Sequence, residues 1–199
     1  QQNNNPFVAG CAINIYNNRT IDLLKKSGMT RWCTPVELGR NDLSPIAEHA
    51  KSIGIEIEYQ VFGRMPLAYS ARCFTARHHQ LAKDDCEFKC LDDEQGILVK
   101  TQEGESFAQI NGIQTQSARV SNLLEHWQDL KNTGIDILRV VPVAAQDTLN
   151  VIQSLNDRVK GQTSTPENTL DLSQDYEFCN GYWLQQEGIK NLSTSEINL

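Results

Sequence analysis

The sequence predicts an α/β fold, a parallel (β/α) barrel of the TIM type that is incomplete in this chain. Short apolar runs alternate with amphipathic stretches from residue 7 to about residue 62, and a further strand–helix pair follows between residues 135 and 159. Short connections between such elements predict parallel strands with helical crossovers. A complete eightfold barrel needs about 250 residues. We therefore expect residues 1–199 to form a single domain, the C-terminal portion of a barrel.

The elements of the first half are bounded by glycines and by a proline. Gly28 and Gly54 end helices, because glycine readily adopts the left-handed conformation found after a helix. Ser44-Pro45 begins a helix, because proline is favoured at the first helical position. The predicted elements are a strand at 7–15, a helix at 17–27, a strand at 29–33, a helix at 44–53 and a strand at 55–62.

Residues 63–93 interrupt this alternation. They contain a glycine, a proline and three cysteines, and we interpret them as a cysteine-rich loop that leaves the carboxyl end of a strand. Active sites of parallel α/β folds lie at that end. After the loop we expect an antiparallel excursion at 96–114, a helix with Val120, Leu123, Leu124, Trp127 and Leu130 on one face, a strand at 135–143 and a helix at 147–159.

Charge and composition exclude several classes of function. The net charge is −7, which disfavours nucleic acid and anionic membrane as partners. No apolar run approaches the roughly 18–20 residues that span a bilayer, so we expect no membrane insertion. Residues 1–5 lack the features of a signal peptide, and we expect a cytoplasmic protein. The chain reaches a strand almost at once without an initial Met, which indicates a piece of a longer protein.

Three of the six cysteines are grouped, with the spacing Cys73-x12-Cys86-x3-Cys90. Cys86 and Cys90 would share one face of a helix. Thiolates are soft ligands that suit zinc or iron–sulfur clusters. A zinc site would need a fourth ligand, such as His78 or His79. Buried free cysteines are the remaining alternative, but the grouping in a charged, loop-like segment favours metal binding.

The other candidate residues carry weaker signals. Cys11 and Cys33 lie in apolar strands and are expected in the core, whereas Cys179 is either a core residue or a fourth ligand. Glu37 and Glu58 stand near strand ends, where they could act as acid–base groups. Two histidines, His49 and His126, fall in predicted helices and are expected at the surface or in an interface. The sequence contains no glycine-rich phosphate loop and no Gly-x-Ser-x-Gly nucleophile turn.

The stretch from Glu58 to Cys73 resembles the signature of the collagenase-like peptidase family, U32. In that family a glutamate at a strand end precedes a glycine, a Tyr-Ser-x-x-Cys element and further cysteines. The matching residues are Glu58, Gly63, Tyr69, Ser70, Cys73, Cys86 and Cys90. Residues 29–38, 67–77 and 179–183 are similar to the branch of the family that acts in oxygen-independent ubiquinone biosynthesis.

This resemblance implies a [4Fe-4S] cluster held by four cysteines. Three of them map onto Cys73, Cys86 and Cys90, and the fourth is expected in an N-terminal part of the family that this chain lacks. The resemblance also implies a heterodimer with a sister subunit, UbiU. Together they would hydroxylate the ring of a small-molecule ubiquinone precursor without O2.

We therefore expect an iron–sulfur subunit of an oxygen-independent hydroxylase. One alternative is a collagenase-like peptidase or hydrolase that uses Glu58 and a bound metal, and another is a non-catalytic scaffold that carries a cluster. Pro66 stands where many family members have a further cysteine, and no nucleophile–base pair is visible. Both features argue against peptidase activity.

Overall fold

Helices pack against a mixed, eight-stranded sheet in the computed structural model, which describes residues 5–161, 170, 172–173 and 175–193. The strands are β1 (Phe7–Ala9), β2 (Met29–Cys33), β3 (Glu56–Tyr69), β4 (Ile97–Lys100), β5 (Ser106–Asn111), β6 (Gln114–Asn122), β7 (Ile137–Val140) and β8 (Phe178–Cys179). The α-helices are α1 (Asn18–Lys26), α2 (Arg40–Ser52), α3 (Phe74–His78), α4 (Trp127–Asn132) and α5 (Ala145–Val159). Short 3₁₀ turns cover Cys11–Ile13, Lys83–Asp85, Lys89–Leu91 and Leu124–His126. Within the described ranges, no helix is long and apolar enough to cross a membrane.

The predicted TIM-type barrel is wrong, because the sheet is open and only part of it is parallel. Strands β1, β2, β3 and β7 form parallel pairs. The second half of β3 instead pairs antiparallel with β6, which continues through β5 to β4 at the edge. Strand β3 therefore belongs to both halves of the sheet. Its first part pairs with parallel neighbours, and its second part pairs with an antiparallel one.

Gly63 lies at this junction within β3. Its φ is +109°, and a Cβ atom placed there would come 2.4 Å from the carbonyl oxygen of Val141. Val141 directly follows β7, and its N–H donates to the carbonyl of Phe62 at 2.9 Å. Only glycine combines this conformation with so close a backbone approach.

The two faces of the parallel strands differ in polarity because side chains alternate along a strand. Trp32, Ile57 and Val61 are fully buried in the core that α1, α2, α4 and α5 cover. The opposite face carries charged side chains, including Arg31 and Glu58. That polar face positions part of the candidate site.

Several predicted elements are confirmed, and others are misplaced. Asn17 caps α1 through a hydrogen bond from the Thr20 N–H at 3.0 Å, and the antiparallel excursion forms β4, β5 and the start of β6. The first strand is shorter than predicted, since a 3₁₀ turn follows Ala9. Helix α2 begins at Arg40, before Ser44-Pro45. The predicted helix around residue 120 is partly wrong, because Val120 belongs to β6.

The segment around Trp183 fastens the C-terminal part to the core. The Trp183 ring is fully buried edge-on against Tyr59, with 5.1 Å between ring centroids. Its indole Nε1–H donates to Asp129 Oδ2 at 3.3 Å, and Arg40 Nη1 lies 3.0 Å from the same oxygen. This contact joins α2, α4 and the C-terminal segment.

Candidate functional site

Cys73 is held in place by the hairpin between β5 and β6. It is the N-cap of α3, and its sulfur accepts a hydrogen bond from the Ala76 N–H at 3.5 Å. The neighbouring Phe74 N–H donates to the Gly112 carbonyl at 2.9 Å, and the Gly112 N–H donates to Thr75 Oγ1 at 3.0 Å. Reciprocal bonds of this kind fix the position of the Cys73 backbone, although its side chain remains partly exposed.

Cys86 and Cys90 lie on a tight, irregular turn and not on one helix, as their spacing suggested. Cys86 ends one 3₁₀ turn, and Cys90 is inside the next. Between them, Glu87 and Phe88 both have φ of +52°, a conformation that costs about 1 kcal/mol or more for each residue with a side chain. Residues in such strained conformations cluster at functional sites.

Two of the three cysteines, Cys73 and Cys90, lie on neighbouring elements. Helix α3, which begins next to Cys73, contacts the 3₁₀ turn that contains Cys90. All three thiols are partly exposed, and none forms a disulfide. Within the described ranges, however, no three His, Cys, Asp or Glu side chains converge in a group that could hold a metal ion. The ligand set therefore stays a prediction.

The neighbouring positive charges do little to stabilise the thiolate form of these cysteines. Lys89 lies 3.4 Å from Asp92 and 3.7 Å from Glu87, so its positive charge is already compensated. His79 Nε2 lies 3.7 Å from Asp93, and its ring stacks edge-on against His78. A histidine that completes a zinc site would have to leave these contacts.

The remaining cysteines divide into buried and partly exposed ones. Cys33 and Cys179 are buried, and burial is the main reason why the pKa of each thiol rises to about 11; a hydrogen bond with Glu58 adds to the rise at Cys33. Both thiols are therefore protonated at neutral pH. Cys11 differs from the prediction, because it lies in the 3₁₀ turn after β1 and is partly exposed.

These two raised pKa values predict a loss of stability in alkali. Above the ordinary thiol pKa of 9.0, unfolded chains lose the Cys33 and Cys179 protons, whereas folded chains keep them until about pH 11. The free energy of unfolding should therefore fall between these values. Denaturant titrations of the Cys33→Ala/Cys179→Ala variant should show a smaller fall than the wild type, and Ser154→Ala, a buried variant without a thiol change, should behave as the wild type.

Glu58, the signature glutamate, is engaged in ion pairs. Its side chain is only 12% exposed and lies 3.5 Å from Arg31 Nη1 and 3.6 Å from Arg139 Nε. Sequence reasoning missed both arginines, although an arginine inside the apolar run of β7 was a visible signal. The carboxylate is therefore already engaged by two guanidinium groups.

Replacing Glu58 with Gln should lower the free energy of unfolding by about 1–3 kcal/mol, because it leaves two partly buried guanidinium groups without their shared anion. Glu56→Gln is the matched control, since Glu56 is 56% exposed and pairs with the same Arg31 at 3.1 Å. A change of less than about 0.5 kcal/mol is expected there. Equal losses in the two variants would show that the burial of Glu58 has no energetic role.

The other predicted candidates lie apart from the cysteines. Glu37 is exposed and accepts a hydrogen bond from the Tyr16 hydroxyl. His49 Nε2 lies 2.8 Å from Asp22, between α1 and α2. His126 is part of a 3₁₀ turn, and burial lowers its pKa.

Comparison with known proteins gives a match over nearly the whole chain. The family model described as peptidase family U32 matches residues 2–191. No solved structure matches the chain.

Proposed function

Because this chain belongs to peptidase family U32, we propose that it is an iron–sulfur component of oxygen-independent ubiquinone biosynthesis, of the UbiV type. In this proposal it takes part in ring hydroxylation together with a sister subunit. The supporting observation is the group Cys73, Cys86 and Cys90, three unbridged and partly exposed thiols in one irregular segment.

The chemistry of these thiols fits the cluster that the family resemblance implies. Cys73, Cys86 and Cys90 would hold a [4Fe-4S] cluster, which supplies one-electron transfer when bound. Cys73, Cys86 and Cys90 are partly exposed, whereas Cys33 and Cys179 are buried. Helix α3, which follows Cys73, contacts the 3₁₀ turn that contains Cys90, so these two cysteines lie on neighbouring elements.

The geometry of Glu58 argues against the hydrolase alternative. A metal-dependent hydrolase would use this glutamate as a ligand or as a base, but the carboxylate already lies between Arg31 and Arg139. Freeing it would take from Arg139 its carboxylate partner and leave Arg31 paired with Glu56 alone. Its role is better explained as a link between β2, β3 and β7.

The proposal is tested in cells that lack this protein and grow without O2. The full-length protein and its Cys33→Ala variant should restore ubiquinone, and Cys86→Ser should not. Hydroxylated ring intermediates are measured by chromatography of lipid extracts. If Cys86→Ser also restored ubiquinone, the scaffold alternative would be supported. If loss of the protein did not change the ubiquinone content of the cells, the proposal would be contradicted.

A further inference from the structure

A cavity of about 510 Å³ lies between the end of β6 and the last turn of α5. It is lined by Asn122 at the end of β6, Leu124 and His126 in the 3₁₀ turn that follows, Arg158 on α5 and Phe178 on β8. None of its described lining residues belongs to β1, β2, β3 or the segment 73–90. The cavity is therefore separate from the three grouped cysteines, and its volume falls in the usual range of small-molecule sites.

Arg158 is a buried cation in the wall of this cavity. It is only 9% exposed, and its Nε donates one weak hydrogen bond, of 3.5 Å, to Ser154 Oγ. Among the described residues, no carboxylate lies within ion-pair distance of the guanidinium group, and neither Nη group has a hydrogen-bond acceptor. Burying a guanidinium group without an anion is unfavourable. The free Nη donors of Arg158 are therefore available to a ligand in the cavity.

The position of Arg158 on its helix does not by itself explain why it is buried. The carboxyl end of a helix carries partial negative charge, which favours a cation in the last turn. Lys160 is the C-cap of the same helix and is exposed, so a cation at this helix end does not require burial. The cavity that Arg158 lines gives the better explanation of its burial.

The cavity offers one positive charge to a ligand. His126 also lines it, but burial lowers the pKa of this imidazole, which is therefore neutral at neutral pH. Glu125 is exposed and is the one carboxylate among the described lining residues. Arg158 can compensate a single negative charge, whereas a second negative charge would meet Glu125 and no further cation.

Four apolar side chains form another part of the wall, and they are Leu124, Leu170, Phe178 and Leu192. The backbone of Leu192 is held by two hydrogen bonds with the Asn180 side chain, each 2.9 Å long. The planar donors of a guanidinium group match the two oxygens of a carboxylate. A single guanidinium group beside apolar side chains therefore suits a carboxylate with a hydrocarbon body.

We propose that this cavity binds an aliphatic monocarboxylate, whose carboxylate accepts hydrogen bonds from the Nη groups of Arg158 and whose hydrocarbon body lies against Leu124 and Phe178. This inference goes beyond the proposed function, because the cavity is lined by none of the three grouped cysteines. The bound carboxylate supplies the anion that the buried guanidinium group lacks, and a ligand that binds only the folded chain stabilises it.

Calorimetry with sodium octanoate tests this proposal on the full-length protein purified without O2. Octan-1-ol, which has no charge, and octanedioate, which has a second carboxylate, are comparison ligands of the same chain length. Octanoate should bind at least about tenfold more tightly than either of them, a difference of about 1.4 kcal/mol. If octanoate did not bind, or bound no more tightly than either comparison ligand, the proposal would be overturned.

Arg158→Met removes the positive charge but keeps an apolar side chain, and it should weaken octanoate binding about tenfold or more. Lys160→Met is the matched control, because Lys160 is an exposed cation two residues away that does not line the cavity. It should bind octanoate as the wild type does. Arg158→Lys keeps the charge without the planar pair of donors, and its affinity should be intermediate. Unchanged binding in Arg158→Met, or an equal loss in Lys160→Met, would place the ligand elsewhere.

Thermal unfolding of the same variants separates binding from folding. Without octanoate, Arg158→Met should unfold at a temperature no lower than the wild type, because it removes a buried charge that has no described anionic partner. Saturating octanoate should raise the unfolding temperature of the wild type and of Lys160→Met but not that of Arg158→Met. An equal rise in all three proteins, or a lower unfolding temperature of Arg158→Met without octanoate, would contradict the proposal.

Discussion

Full-length protein with Cys86→Ser, purified without O2, is expected to lose most of its bound iron and sulfide. Serine is a hard oxygen donor that is rarely deprotonated, so it replaces a thiolate poorly as a ligand of iron. Cys86 is partly exposed and ends a 3₁₀ turn at the surface, and the substitution should therefore leave the fold intact. Iron and sulfide analysis measures the loss, and thermal unfolding checks the fold.

Cys33→Ala is the matched control for this variant. Cys33 is buried on β2, and its thiol interacts with Glu58, away from the segment that would bind the cluster. Its iron content should equal that of the wild type. Loss of iron in Cys33→Ala, or full iron in Cys86→Ser, would mean that the ligands are misassigned.

Gly63→Ala is expected to destabilise the fold by about 3 kcal/mol or more. The new Cβ would lie 2.4 Å from the Val141 carbonyl oxygen and 2.6 Å from the Val141 Cβ, so β3 and the end of β7 would have to separate. The residue would also occupy a left-handed conformation that alanine disfavours. Equilibrium unfolding in denaturant measures the change.

Gly104→Ala separates the cost of the left-handed conformation from the cost of the steric clash with Val141. Gly104 also has a positive φ, of +89°, but a Cβ there meets nothing within 4 Å. Only the conformational cost of about 1–2 kcal/mol should appear. If the free energy of unfolding fell equally in both variants, the close approach of β3 to Val141 would not contribute to the destabilisation.

The first half of the fold was predictable because its signals are local. The change from strand to helical spacing, the Asn17 cap and the glycines after α1 and α2 depend on neighbouring residues only. The extent of β3 was not predictable, since Gly63 and Pro66 resemble loop signals. Pro66 lies in β3 where the pairing register with β6 shifts on either side of it, and proline is tolerated at such irregular positions.

In the candidate site, too, local features could be predicted from the sequence and features that depend on tertiary packing could not. The grouping of Cys73, Cys86 and Cys90 is visible in the spacing, because all three lie within one short segment. The ion pairs of Glu58 join residues on three strands, and no local sequence pattern predicts them. Clefts walled by residues far apart in the chain, such as Leu67 and Tyr182, likewise depend on tertiary packing.

The most direct test of the proposed iron–sulfur function is metal analysis of the full-length protein purified without O2, combined with its absorbance spectrum. The cluster assignment predicts a broad visible absorbance and about four irons and four sulfides per chain. One zinc per chain with no visible absorbance would contradict it, and would favour a structural zinc site or a hydrolase instead.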